Sequence, residues 1–203
     1  MTEKQKMLAG RLYTAEDSEL VQLRQAAKKL IRLFNQTTED EPEKRIACLK
    51  ELFGATGKTL WVEPTFHCDY GCNITVGENF YANYDCIILD VCPVTIGANV
   101  FFAPRVCIYT AAHPIDADVR ASGLEYGKPV TIGDNVWVCG SVVINPGVTI
   151  GSNVVIGSGA VVTKDIPSGV IAAGNPCRVL RPITQADAAY WAQKQKEYLS
   201  EAF

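Results

Sequence analysis

From about residue 60 onward, aliphatic residues recur at every sixth position, and that spacing excludes most folds open to a chain of 203 residues. Ile96, Phe102 and Ile108 open the series; Ile132, Val138, Ile144, Ile150, Ile156 and Val162 continue it after one gap. Four places after each anchor stand Val100, Val106, Ala112, Val136, Val142, Val148, Val154, Ala160 and Ile166. A looser version of the rhythm runs upstream through Val62, Cys68, Val76, Ala82 and Ile88. At about 100° per residue, steps of six throw successive anchors onto three sides of an α-helix, so no helical face can form. The β-branched content and the Gly-Asp-Asn and Pro-Gly turn signals favour short strands joined by tight turns. One hexad then makes one flat side of a prism, with the anchor and its i+4 partner inward. Three hexads close a coil of roughly 18 residues, and the coils stack by parallel pairing as a β-helix. The period does not give the hand of the coil, and ordinary crossovers are right-handed.

The count is interrupted in places. Ile74-Thr75, Val94-Thr95 and Val130-Thr131 add two residues to their coils, and Thr75, Thr95, Thr131 and Thr149 are expected to stack as an outward ladder. The largest break separates Ile108 from Ile132 and places a loop over residues 113–129, beginning at one of only two histidines. A loop of that length without periodicity is usually functional.

Residues 1–57 read as a helical segment. Leu20, Leu23, Ala27, Leu30, Ile31 and Phe34 mark one helix face. Pro42 suits the first turn of a second helix that turns Ile46, Leu49, Leu52 and Phe53 inward and ends at a Gly54 cap. Residues 58–183 carry the β-helix. Residues 184–203 form a helix from Thr184, with Asp187 at the capping-box position, that is expected to cover the open end of the coil.

Composition removes several functions. The balance of 19 basic and 22 acidic residues gives a net charge of −3, which fits neither a nucleic-acid nor a membrane-surface binder. Two histidines cannot build a His-rich metal site, and Cys68 and Cys72 have no second pair at zinc spacing. The charged start Met1–Lys6 has no apolar stretch of signal-peptide length behind it. The eight cysteines are therefore expected as reduced thiols in a cytoplasmic protein.

The hexads, His113 at the mouth of the long loop, the run Asn145-Pro-Gly-Val-Thr-Ile-Gly and the run Gly159-Ala-Val-Val-Thr-Lys-Asp165 together resemble the hexapeptide-repeat acyltransferases. Leu89-Asp-Val-Cys-Pro93 and Ile108-Tyr-Thr-Ala-Ala-His-Pro114 are most similar to the branch acting on maltose-type sugars. The galactoside-type branch is similar nearly as far. The resemblance spans almost the whole chain, including Lys6-Met-Leu-Ala-Gly10. It implies a left-handed parallel β-helix, a homotrimer with active sites between subunits, acetyl-CoA as co-substrate rather than a resident cofactor, and a sugar hydroxyl as acceptor.

Acetyl transfer to an alcohol needs a base, and histidine is the side chain that titrates near neutrality. The resemblance gives that role to His113, with His67 as the rival. Asn83 matches the family's active-site Asn, as acceptor guide or oxyanion donor, and backbone N–H groups near Gly140 are expected to assist. Trp137, Ser158, Thr163, Lys164, Arg178 and Arg181 match the family's coenzyme contacts. For the acceptor, the corresponding positions are Arg24, Asp69, Tyr81, Asp90 and, less closely, Asp17. The galactoside-type branch carries acids where this chain has Ala15 and Val91, which turns the expectation away from galactosides. A same-fold enzyme for amino alcohols or antibiotics, a Cys139 acyl intermediate and a non-enzymatic scaffold stay open as alternatives.

Overall fold

The computed structural model describes residues Met1–Glu201. Three parallel sheets form the sides of a prism, and their strands succeed one another at the hexad spacing. One side is a four-stranded sheet in which Thr75, Thr95, Thr131 and Thr149 pair in register and face solvent, the ladder expected from the sequence. A second side aligns Trp61, Tyr81, Phe101, Trp137 and Val155 outward. The third aligns His67, Ile87, Cys107, Val143 and Val161. All nine hexad anchors point inward and are at most 2% exposed.

The corners explain the turn residues. Gly77, Gly97, Gly133 and Gly151 stack so closely that a Cβ added to Gly97 would lie 2.7 Å from the Gly133 carbonyl carbon. Two residues further on, Asn79, Asn99, Asn135 and Asn153 adopt left-handed backbone angles of 55–57°. Their amides form a chain, Asn79 to Asn99 at 2.9 Å, Asn99 to Asn135 at 3.1 Å and Asn135 to Asn153 at 3.2 Å. Asn tolerates this conformation because its short polar side chain bonds locally.

At the N-terminus, α1 (Glu3–Leu8) is closed by a Thr2–Gln5 capping box. α2 (Ser18–Asn35) buries Leu20, Ala27, Ile31 and Phe34 as its period requires. α3 (Pro42–Leu52) begins at Pro42 and buries Cys48, Leu49 and Leu52, with Ile46 only half-buried. It also buries Arg45, which no apolar period announces. That guanidinium donates to the Thr37 hydroxyl at 3.0 Å, pairs with Glu63 at 3.3 Å and stands 5.4 Å from the Trp61 ring centroid. Gly54 does not cap in the left-handed region: α3 ends as Phe53 turns extended, and Gly54 is needed because a Cβ there would meet the Cys72 carbonyl at 2.3 Å.

The long break is structured. Ala111–Ala112 pairs antiparallel with Leu124–Gly127, α4 (Ala117–Ala121) lies between them, and Leu124–Gly127 pairs in turn with Tyr13–Thr14. At the far end, α5 (Gln185–Glu201) forms as expected, yet none of its residues is buried. The last open edge, Val170–Ala173, is covered instead by the antiparallel strand Arg178–Pro182. Among the described residues no helix is long and apolar enough to cross a membrane. Five of the eight cysteines are buried as small apolar groups.

Candidate active site

The small sheet that joins the N-terminal arm to the break also builds a cleft of about 310 Å³. A satellite core of Met7, Tyr13, Leu20, Tyr70 and Val91 supports it. Tyr13 donates its hydroxyl to Glu125 at 2.9 Å, and burial followed by the Glu125 charge pushes that phenol up. Arg24 of α2 donates to the Tyr70 hydroxyl at 2.9 Å and lies 3.7 Å from Glu16. Asp69 lines the same wall; burial raises its carboxyl, and Arg24 pulls the other way. Tyr13, Glu125, Arg24, Tyr70 and Glu16 are paired, while Asp69 and Lys28 present polar groups that sugar hydroxyls can meet.

His113 is exposed and directly follows the strand Ala111–Ala112. The pairing with Leu124–Gly127 ends where Ala112 faces Tyr126, and His113 is not among the residues that line the cleft. His67 lines a neighbouring cavity further along α2, which shares Lys28 with the cleft.

Asn83 and Tyr81 are not part of this cleft. They line a second, largely apolar cavity of about 460 Å³ with Phe101, Ala103 and Trp137. The Asn83 side-chain oxygen accepts the Tyr84 N–H at 2.8 Å, which turns its amide NH₂ outward as a donor. Trp137 is 52% exposed, a bare flat wall. On the adjoining corner the Gly140 carbonyl accepts the Gly159 N–H at 2.9 Å, next to exposed Ser158. Burial pushes the nearby Cys139 thiol up, which disfavours the thiolate an acyl intermediate needs.

Lys164 and Arg178 line a third hollow of about 280 Å³ where the coil ends, and Thr163 beside them is exposed. Arg181 departs from expectation: its guanidinium holds both oxygens of Asp187, at 2.7 and 2.8 Å, and anchors α5.

Two expected acceptor ligands are also otherwise engaged. Asp17 caps α2, accepting from Glu19 N–H at 3.0 Å and Leu20 N–H at 3.4 Å. Asp90 is fully buried, and its carboxylate accepts the backbone N–H groups of Asp69, Tyr70 and Asn73. Burial pushes Asp90 up to about 7, although those backbone bonds pull it down. Tyr13, Glu16, Lys28, Tyr70 and Glu125 line the cleft without having been singled out from the sequence. Only Glu125 carried a signal, its place inside the aperiodic break.

A stacked hexad coil with a helical arm over one end defines the class of hexapeptide-repeat transferases. Residues 129–164 match the family described as "Bacterial transferase hexapeptide (six repeats)", and residues 6–57 match "Maltose acetyltransferase hexapeptide capping motif". A maltose O-acetyltransferase from Clostridium difficile 630 is 63% identical, with a TM-score of 0.90 over 91% of this chain and 98% of that one. A galactoside acetyltransferase solved in complex with coenzyme A is 47% identical, also at 0.90, over 93% and 94%. The galactoside O-acetyltransferase of Escherichia coli (strain K12) is 46% identical over 97% of this chain and 96% of its own length. The chain belongs to the hexapeptide-repeat acetyltransferases.

Proposed function

We propose that this chain transfers an acetyl group from acetyl-CoA to a hydroxyl of a maltose- or glucose-type sugar, by direct attack, in the cytoplasm. The observation that carries this reading is the cleft in which Arg24, Tyr70, Asp69 and the Tyr13–Glu125 pair meet. His113 takes the proton of the sugar hydroxyl as its oxygen attacks the thioester carbonyl carbon. The Asn83 NH₂ group donates to the oxyanion of the tetrahedral intermediate. Collapse expels the coenzyme A thiolate, which takes the proton back from the imidazolium, leaving the sugar ester and free thiol. Trp137 backs the pantetheine arm, and Lys164 and Arg178 supply positive charge for the phosphates of an otherwise acidic protein.

Ala15 and Val91 both lie on the cleft wall. The two acids of the galactoside-type branch are therefore missing from the surface that would meet the sugar, which favours the glucose series. Asn83 and Trp137 share no lining residue with the Asp69 cleft. That separation supports a homotrimer in which the cleft of one subunit meets the aromatic side of the next.

The test is release of free thiol from acetyl-CoA with glucose, maltose, a thiogalactoside and an amino alcohol. Acetylation of the glucose series is expected, with a loss of about 10²–10⁴-fold in His113→Ala. An unchanged rate in that variant would falsify the assignment of the base.

A further inference from the structure

The cleft does not end at Lys28. Beyond it along α2 lies a further cavity of about 470 Å³, walled by Lys28, Arg32 and Gln36 of the helix and by His67 opposite, over Ile31 and Cys68. Lys28 lines both hollows. Arg24, Lys28 and Arg32 follow at four-residue steps on one helix face. On the other wall His67 and Cys68 lead directly into Asp69 and Tyr70. The two hollows are thus successive stretches of one groove. Asn35 fixes its walls together: its side chain accepts the Phe66 N–H at 2.9 Å and donates to the Phe66 carbonyl at 3.0 Å.

Charge changes sign along this groove. The reacting end carries Glu16, Asp69 and Glu125 against Arg24 and the shared Lys28, whereas the far end carries Lys28 and Arg32 and no carboxylate. Among the described residues neither Lys28 nor Arg32 makes an ion pair. Like charges one turn apart destabilise a helix unless an anion sits between them. Beneath them Ile31 and Cys68 are 6% and 8% exposed, an apolar floor for the C–H face of a sugar ring.

We propose that the far end of the groove is a second acceptor subsite, which takes a sugar unit bearing a phosphate ester or carboxylate next to the unit that is acetylated. This rests on the acceptor reading of the cleft. Arg32 supplies a bidentate donor for either anion, and Lys28 joins the two units.

Three acceptors separate the possibilities: maltose, maltobionate with a carboxylate on the second unit, and maltose 1-phosphate with a phosphate there. Thiol release is expected to give kcat/KM about tenfold higher for at least one anionic acceptor than for maltose, falling as salt is raised. Arg32→Met should abolish that advantage while leaving maltose turnover unchanged, and Arg32→Glu should invert it. The phosphate and carboxylate arms show which anion is preferred. The chain's two histidines provide an independent readout by NMR of their imidazole protons. His67 should shift with the anionic sugars and not with maltose, and the shift should vanish in Arg32→Met. Equal kcat/KM for all three sugars, an advantage that survives Arg32→Met, or a silent His67 overturns the subsite. If no sugar is turned over but His67 responds in an Arg32-dependent way, the subsite stands and the acetyl-acceptor reading falls. If maltose is turned over and His67 stays silent, the reverse holds.

Discussion

The carboxylate of Asp90 holds Tyr70 by its backbone: one oxygen accepts the Tyr70 N–H at 2.9 Å and the Asp69 N–H at 3.0 Å. Both residues line the cleft and Asp90 does not, so on the proposed function Asp90 would act on the acceptor only through the turn it fastens. In Asp90→Asn one backbone N–H, that of Asn73, would meet an NH₂ donor. The KM for the sugar should rise roughly tenfold while the KM for acetyl-CoA stays unchanged. The sign of the stability effect follows from the raised pKa. Between the unfolded aspartate value of about 3.9 and the folded value of about 7, the folded chain binds more protons than the unfolded one. Stability from this group therefore falls as pH rises through that window and is level above it. Urea unfolding from pH 4 to 8 should reveal that slope in the parent and its absence in Asp90→Asn.

Asn99 gives and receives an amide bond in the corner ladder while holding φ at 55°. Asn99→Ala loses both bonds and strains the backbone, a cost of about 2 kcal/mol. Asn99→Gly loses the bonds alone and should recover about half of that. Thermal unfolding of the pair separates the two contributions.

Two glycines should answer substitution to different degrees. A Cβ on Gly97 would press on the next coil, 2.7 Å from the Gly133 carbonyl carbon and 2.8 Å from the Asp134 nitrogen, backbone atoms that cannot yield as the Asp134 side chain can. Gly97→Ala is expected to cost about 3 kcal/mol or to prevent the coils from stacking. Gly123, at φ +82° with nothing within 4 Å of an added Cβ, should cost only about 1 kcal/mol as Ala. Urea midpoints followed by circular dichroism measure both.

Removal of Arg45 would leave Glu63 and the Thr37 hydroxyl without their partner in a nearly closed pocket, since Arg45 is 6% exposed. Arg45→Ala should destabilise by about 3 kcal/mol, and Arg45→Lys, which keeps the charge but not the fork, by less. Equilibrium denaturation provides the comparison.

The prism was legible because each hexad obeys a local rule: a β-branched residue inward, a small or turn residue at the corner. Where the chain leaves the coil the rule fails. Ala112 is half-buried, and Thr110, two places earlier, is fully buried and accepts the Cys92 N–H at 2.9 Å. Asp17 and Asp90 were not legible as supports, because a carboxylate bonded to backbone N–H groups reads the same as one facing a ligand. Part of the cleft lining is legible, since Arg24 and Asp69, both singled out from the sequence, lie on its wall. Tyr13, Lys28 and Glu125 were hidden because the cleft joins segments with no common period. The cover of the last edge is hidden from the sequence for a similar reason. Arg178–Pro182 has no alternating pattern, with every residue exposed, and only its pairing makes it a strand.

The Tyr13–Glu125 bond closes the cleft across 112 residues of chain. The coil, by contrast, grows by pairing each turn with the one before it. Closure of so wide a loop is entropically late, so the β-helix can assemble before any acceptor-binding surface exists. The proposed acceptor cleft is then closed by a brace that lies outside the hexad column. On the proposed function, exchanging the residues of that brace would alter the choice of acceptor while leaving the hexad pairing in place.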